Sequence, residues 1–208
     1  MIKRLSLFLV GFALMLAMNG CMRQQVPMTI DSESAVPGTQ VERKGTTLQL
    51  LGTGLEIGQP IPDVSVVDAG TMKPVTLRDY RGSVLFLSIV PSIDTKVCEA
   101  QTHLLGEQGD TMPAAVKRIT ISRDTPFAQT RFAKEGKLED IQYLSDYREG
   151  AFGRSVGLLI DDSRLLARAV ILVDKEGIVQ YIQVVPDISH LPDMEKAFAR
   201  AASLAGSK

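Results

Sequence analysis

Ser83-Val84-Leu85-Phe86-Leu87-Ser88-Ile89-Val90 runs directly into Pro91-Ser92-Ile93-Asp94-Thr95-Lys96-Val97-Cys98. The first eight residues form the most apolar run after residue 20. A run this short and this apolar reads as a central strand buried on both faces. Pro91 ends it, because proline cannot donate to a strand ladder. A helical pattern then starts at residue 94 or 95 and continues through Leu105. Cys98 therefore falls in the first turn of a helix that leaves the end of a buried strand.

Working outward, strands alternate with helices. Residues 64–67 and 75–77 read as short strands, and residues 116–121 as the strand after the central helix. Thr125-Pro126 is a helix start, with a capping hydroxyl followed by proline in the first turn. That helix runs to about residue 134 and stops at Gly136. Residues 141–144 read as a strand and 149–155 as a short helix. Residues 167–173 and 178–185 are two strands joined by the turn Asp174-Lys175-Glu176-Gly177. Residues 193–204 form a closing helix with Met194, Ala197, Phe198 and Ala201 on one face. At the other end, residues 47–51 and 55–57 read as a hairpin about Gly52-Thr53-Gly54. That pair of glycines is not a dinucleotide loop, because no helix follows and a third glycine is missing. The order predicts an α/β domain: a mixed, partly parallel sheet flanked by helices, preceded by an N-terminal hairpin and compatible with a thioredoxin-like fold.

The chain has 208 residues, 45% of them hydrophobic and 23% charged, which is globular composition. With 23 Lys+Arg against 24 Asp+Glu, the formal net charge is −1. Nothing in that balance favours nucleic acid as a partner. Two Cys and two His are too few for a zinc site of the Cys and His type or for a multi-disulfide scaffold. No cofactor is implied.

Residues 1–20 carry Lys3 and Arg4, no acidic residue, and an apolar run over residues 5–18. As a helix that run reaches about 21 Å, short of the ~30 Å hydrocarbon core, so it suits a signal peptide better than a permanent span. Gly20-Cys21 at its end resembles a bacterial lipoprotein processing site, which would make Cys21 the lipidated mature N-terminus. The expected location is then the periplasmic side of a bacterial membrane, held by the lipid. Met22 rather than Asp after the cysteine points to the outer membrane. Residues 21–44 are polar, without helical or strand period, and read as a flexible tether to a domain spanning residues 45–208.

The chemistry concentrates at Cys98. Unpaired N–H groups and the helix dipole at a helix N-terminus favour thiolate over thiol. Thr95, three residues earlier, shares the helix face and carries a hydroxyl able to bond the sulfur or a bound oxygen. By itself a lone cysteine near a helix start is more often a small buried hydrophobe than a nucleophile. Export raises the stakes, since an unpaired thiol in an oxidising compartment is a hazard unless it is buried or used.

Pro91-x-x-x-Thr95-x-x-Cys98 resembles the active-site motif of peroxiredoxins, and the fuller Pro91-Ser92-Ile93-Asp94-Thr95-x-Val97-Cys98 resembles the thiol peroxidase branch. Thr125-Pro126-Phe127-Ala128-Gln129-Thr130-Arg131-Phe132, Leu144-Ser145-Asp146-Tyr147-Arg148 and Ala167-Arg168-Ala169-Val170 are similar in order and spacing, so the resemblance covers about residues 46–201. It implies a hydroperoxide substrate and an attacking thiolate at Cys98. Thr95 would orient the peroxide, Arg168 would stabilise the thiolate and the departing oxygen, and Pro91 would shield the site. A fixed cation with aimed N–H donors lowers the barrier to O–O cleavage by stabilising the charge left on that oxygen. The alternative for Arg168 is a structural ion pair with a nearby acid, and for Thr95 a plain helix cap. A homodimer is implied by the resemblance alone.

One departure bears on turnover. Many thiol peroxidases carry a resolving cysteine directly after the Arg-Phe of the later helix, whereas Ala133 follows Arg131-Phe132 here. Cys21, the only other cysteine, lies far upstream, so an internal bridge to Cys98 requires that it escape lipidation. The expectation is a one-cysteine peroxidase recycled by an external thiol or a thioredoxin-like partner. Two other readings compete: a disulfide reductase, disfavoured because position 95 of the Cys-x-x-Cys it needs is Thr, and a non-enzymatic peroxide sensor or binding lipoprotein. His103, five residues after Cys98, is out of register for a Cys–His pair, and His190 sits in a loop with no metal partner in sequence.

Overall fold

The computed structural model describes residues 28–107 and 112–206. The leader, Gly20-Cys21 and the lipidation expectation fall outside those residues. Seven strands form the main sheet: β4 (Ser65–Asp68), β5 (Pro74–Thr76), β6 (Val84–Ile89), β7 (Val116–Ser122), β8 (Gln142–Ser145), β10 (Ala169–Val173) and β11 (Val179–Val184). Their spatial order is β11-β10-β6-β7-β8-β4-β5. β6, β7 and β8 are parallel, and every other pairing is antiparallel. The sheet is therefore mixed, as the order of elements predicts.

All six residues of β6 are buried. Their alternation separates two cores. Leu85, Leu87 and Ile89 face a cluster with Ile119, Ile121, Leu144 and Ile171. Val84 and Phe86 face the opposite side, with Val170 and Leu172. That second side is covered by α1 (Lys96–Glu107), α2 (Pro126–Gly136) and α4 (Met194–Gly206), through Leu105, Ala133, Met194, Ala197 and Ala201. Phe198 of α4 stacks on Phe86 with ring centroids 5.2 Å apart. The first side is covered differently. Phe152 and Val156, in and just after the short α3 (Ala151–Ser155), share it with Leu77 of a single 3-10 turn and with a small second sheet. α2 starts as its sequence predicts, with Thr125 accepting from the Ala128 N–H and Pro126 in the first turn. It ends at Gly136, the expected stop, and the capping residue that follows, Lys137, lies in the left-handed region.

The N-terminal region departs from the expectation of a tether at residues 21–44 followed by a hairpin over residues 47–57. From residue 30 the chain is structured. β1 (Ile30–Asp31) pairs in parallel with β12 (Leu191–Pro192), and β2 (Gln40–Arg43) pairs antiparallel with β3 (Thr46–Leu51). The hairpin turn is Lys44-Gly45, with φ of 51° and 82°. Positive φ at both central residues is the geometry that fits a two-residue hairpin, but lysine does not advertise it. Val41 is buried in the same core as Leu50. The packing of a few alternate residues against an existing core, not local period, orders this segment.

β3 continues to β9 (Leu159–Ile160), completing a three-stranded sheet. Residues 55–57 are not a strand. Gly52 and Gly54 instead permit a close crossing of three segments. An added Cβ at Gly157 (φ +69°) would lie 2.6 Å from both Gly38 N and Gly54 Cα, and one at Gly52 would lie 1.8 Å from Arg154 O. Gly45 has an equally positive φ and nothing within 4 Å of such a Cβ. We expect Gly45→Ala to cost about 1 kcal/mol from left-handed strain alone. Gly157→Ala should cost roughly 2 kcal/mol more, because the backbone it strikes cannot move aside. Thermal unfolding of the two variants measures the difference.

Candidate functional site

β6 and β10 are adjacent and antiparallel, with Ser88 opposite Val170 and Ile89 opposite Ala169. The carboxyl end of β6 thus lies beside the amino end of β10. The first of these ends delivers residues 90–95 and the start of α1, and the second delivers Arg168. Cys98 is the third residue of α1, whose first ladder bond runs from the Glu99 N–H to the Thr95 carbonyl at 2.8 Å. The N–H groups of residues 96–98 precede that ladder, so the positive end of the helix surrounds the thiol.

Cys98 is 0% exposed and carries a free thiol. Arg168, 2% exposed, donates from Nη2 to Cys98 Sγ at 3.3 Å. Its Nη1 donates to Gln101 Oε1 at 2.7 Å, and its Nε to the Ile188 carbonyl at 3.0 Å. Gln101 is fixed in turn by donating Nε2 to Ser88 Oγ at 2.8 Å. Among the described residues no carboxylate forms an ion pair with Arg168. The structural ion pair considered from sequence is therefore not what holds it. A guanidinium out of water and surrounded by neutral acceptors is costly to bury.

The loop over Cys98 is held from below. Asp124, at the end of β7, accepts from Ser92 Oγ and from the Ile93 N–H, both at 2.8 Å. Ser145 donates its hydroxyl to the Asp124 carbonyl. Pro91 is buried at the strand end. Val90, Ile93 and Cys98 form a small apolar cluster closed by Ala128 and Phe132 of α2. Thr95 is exposed and donates its hydroxyl to the Ser92 carbonyl at 3.3 Å, not to the sulfur. With that proton committed, the oxygen keeps only its acceptor capacity.

The structure thus brings Cys98 and Arg168 into contact and places Thr95 one turn before the sulfur. His103 lies apart, 4.0 Å from Glu107. His190 meets Asp31 at 3.1 Å. Gln101, Ser88, Asp124 and the Ile188 carbonyl were not anticipated. Gln101 had a signal, since it stands three residues after Cys98 on the same helix face. The Ile188 carbonyl had none, being backbone brought in from far along the chain.

The family model described as Redoxin matches residues 56–198. Among curated proteins, the thiol peroxidase of Halalkalibacterium halodurans is 40% identical over 158 residues, covering 76% of this chain and 94% of that protein. The thiol peroxidase of Bacillus subtilis is 35% identical over 165 residues, 79% of this chain and 98% of its own. Among solved structures, a peroxiredoxin-like protein from Aquifex aeolicus superposes with a TM-score of 0.75 at 31% identity, covering 82% of this chain and 99% of that one. The chain belongs to the Redoxin family, in its peroxiredoxin branch. More particularly it is a thiol peroxidase, an enzyme that reduces peroxide at the expense of a thiol.

Gln101 gives a test of how Arg168 is held. Gln101→Leu keeps the volume but leaves a buried charged donor without its acceptor. We expect a loss of about 2 kcal/mol in chemical denaturation. We also expect slower oxidation of Cys98 by peroxide.

Proposed function

We propose that Cys98 is the peroxidatic cysteine and that Arg168 activates it. The observation that carries this reading is the buried Arg168 Nη2 donating to Cys98 Sγ at 3.3 Å, with no carboxylate among the described residues paired to the guanidinium. The thiolate attacks one oxygen of ROOH, the O–O bond breaks, and the bonding pair leaves on RO⁻, which takes a proton to give ROH. The sulfur is oxidised to sulfenic acid, Cys98–SOH. In the transition state charge moves from sulfur to the departing oxygen. The guanidinium and the free N–H groups at the start of α1 stabilise that charge without reorganising. Thr95 accepts a hydrogen bond from the peroxide O–H and orients it. Pro91, Ile93 and Phe132 keep bulk water from the sulfur.

The reductive half follows from Ala133. It is buried in α2 and offers no thiol at the position where relatives of this branch carry a resolving cysteine. Cys98–SOH is therefore attacked by an external thiol, releasing water and forming a mixed disulfide. A second thiol attacks the reductant's sulfur, restoring Cys98–SH and releasing the oxidised reductant. Because Cys98 is fully buried, a protein reductant such as a thioredoxin-like partner needs the first turn of α1 to open. Residues 1–20 serve as a lipoprotein-type signal peptide in this reading. Cys21 takes the lipid, and the enzyme stands on the periplasmic side of the membrane, the outer membrane by the residue at position 22. A homodimer is part of the same proposal.

The experiment treats the protein with stoichiometric hydrogen peroxide in the presence of a dimedone-type probe and reads the adduct by mass spectrometry. Rapid labelling at Cys98 is expected, with no internal disulfide. Labelling should be slowed about 10²-fold in Arg168→Met, which removes the charge-stabilising donor, and several-fold in Thr95→Val. Labelling no faster than that of an ordinary exposed thiol removes the assignment of Cys98.

A further inference from the structure

Two features of the sequence have no part in the chemistry above: the polar segment before residue 45 and the loop histidine His190. The structure brings them together at the back of Arg168. The loop of residues 186–190 carries the Ile188 carbonyl, which accepts from Arg168 Nε at 3.0 Å. That loop is fastened to the N-terminal segment at several points. The Ile188 N–H donates to the Glu42 carbonyl at 2.9 Å, and the Glu42 N–H to the Pro186 carbonyl at 2.7 Å. The Lys44 N–H donates to Asp187 Oδ2 at 3.1 Å. The Leu191 N–H donates to the Thr29 carbonyl at 2.8 Å where β1 meets β12.

Between these backbone ties sits one cluster of ionisable side chains. His190 Nδ1 lies 3.1 Å from each carboxylate oxygen of Asp31, and its Nε2 lies 4.0 Å from Asp187 Oδ2. Asp187 also accepts the Ser189 hydroxyl at 2.6 Å and its N–H at 2.9 Å. Burial works against the Asp187 charge, but these donors and the nearby His190 outweigh it and hold the carboxyl below its ordinary range. The family model match begins at residue 56, after Asp31 and the strand that carries it.

We propose that Asp31 and His190 are positioning residues for the peroxide reaction. They hold the 186–190 loop so that the Ile188 carbonyl sets the tilt of the Arg168 fork toward Cys98 Sγ. The guanidinium is planar and rigid, so the direction of Nη2–H is fixed once Nε–H is fixed. A displacement of about 1 Å at a positioning group is enough to cost on the order of 10²-fold in rate. The described stretch from residue 28 to Asp31 is then part of the active-site scaffold. This inference rests on the reading of Arg168 given above.

The test uses the full chain carrying Asp31→Ala, Asp31→Asn, His190→Gln and Arg168→Met, with Asp31→Ala also combined with Arg168→Met. The bimolecular rate of Cys98 oxidation by hydrogen peroxide is followed together with the ultraviolet absorbance of the thiolate at neutral pH. Asp31→Ala and His190→Gln should each react about ten-fold more slowly and show less thiolate absorbance. Asp31→Asn keeps its hydrogen-bonding oxygen and should recover most of the rate. In the Arg168→Met background Asp31→Ala should have no further effect, as expected of residues that act through one another. His190→Gln carries the test if Asp31→Ala does not fold. Wild-type rates in Asp31→Ala and His190→Gln beside a slow Arg168→Met overturn the positioning role and leave the reading of Arg168 intact. So does an equal slowing by Asp31→Ala with and without Arg168. A wild-type rate in Arg168→Met overturns that reading itself.

Discussion

A guanidinium that is almost wholly out of water, with no carboxylate paired to it among the described residues, is the constraint on which this structure turns. Breaking or half-satisfying a buried charge costs several kcal/mol, which is a large share of a domain's net stability. The fold meets that cost with three acceptors in three directions. Two of them, Gln101 and the Ile188 carbonyl, are neutral and rigidly held. The third is the sulfur of Cys98. The sulfur is thus the one acceptor of the three whose chemistry the proposed reaction uses.

The architecture explains why those parts meet. β6 and β10 lie side by side and antiparallel, so the helix that follows one strand and the arginine that precedes the other emerge at the same edge. Alternation along β6 sends Leu85, Leu87 and Ile89 to one core and Val84 and Phe86 to the other, and Ser88 takes the helix-facing side where Gln101 needs a partner. Asp124 ties the loop between β6 and α1 to the end of β7. Cys98 and Arg168 are thus anchored by strands of a sheet buried on both faces.

Much of this was legible in the sequence. The apolar run ending at Pro91, the helix starting just before Cys98 and the Thr125-Pro126 start all carry local signals, and the structure bears out the mixed sheet and helices they predict. Cys98 and Arg168 were legible as a pair only through resemblance, since 70 residues separate them and no periodicity relates them. The N-terminal segment was misread because its strands are two and four residues long, too short to show a period. Its order comes from pairing with β12 and β3, and its turn from positive φ at Lys44, which composition does not announce. Asp31, His190 and the Ile188 carbonyl share that limit, because each acquires its role from a long-range contact.

In the mechanism proposed above, a guanidinium fork held in fixed geometry, and not positive charge alone, makes Cys98 reactive. Arg168→Lys separates the two, since it keeps the charge but loses the planar donors that reach Gln101, Ile188 and the sulfur together. The measurement is the bimolecular rate of Cys98 oxidation by hydrogen peroxide in rapid-mixing kinetics, wild type against Arg168→Lys. A fall on the order of 10²-fold is expected. A lysine variant that reacts as fast as the wild type would contradict it.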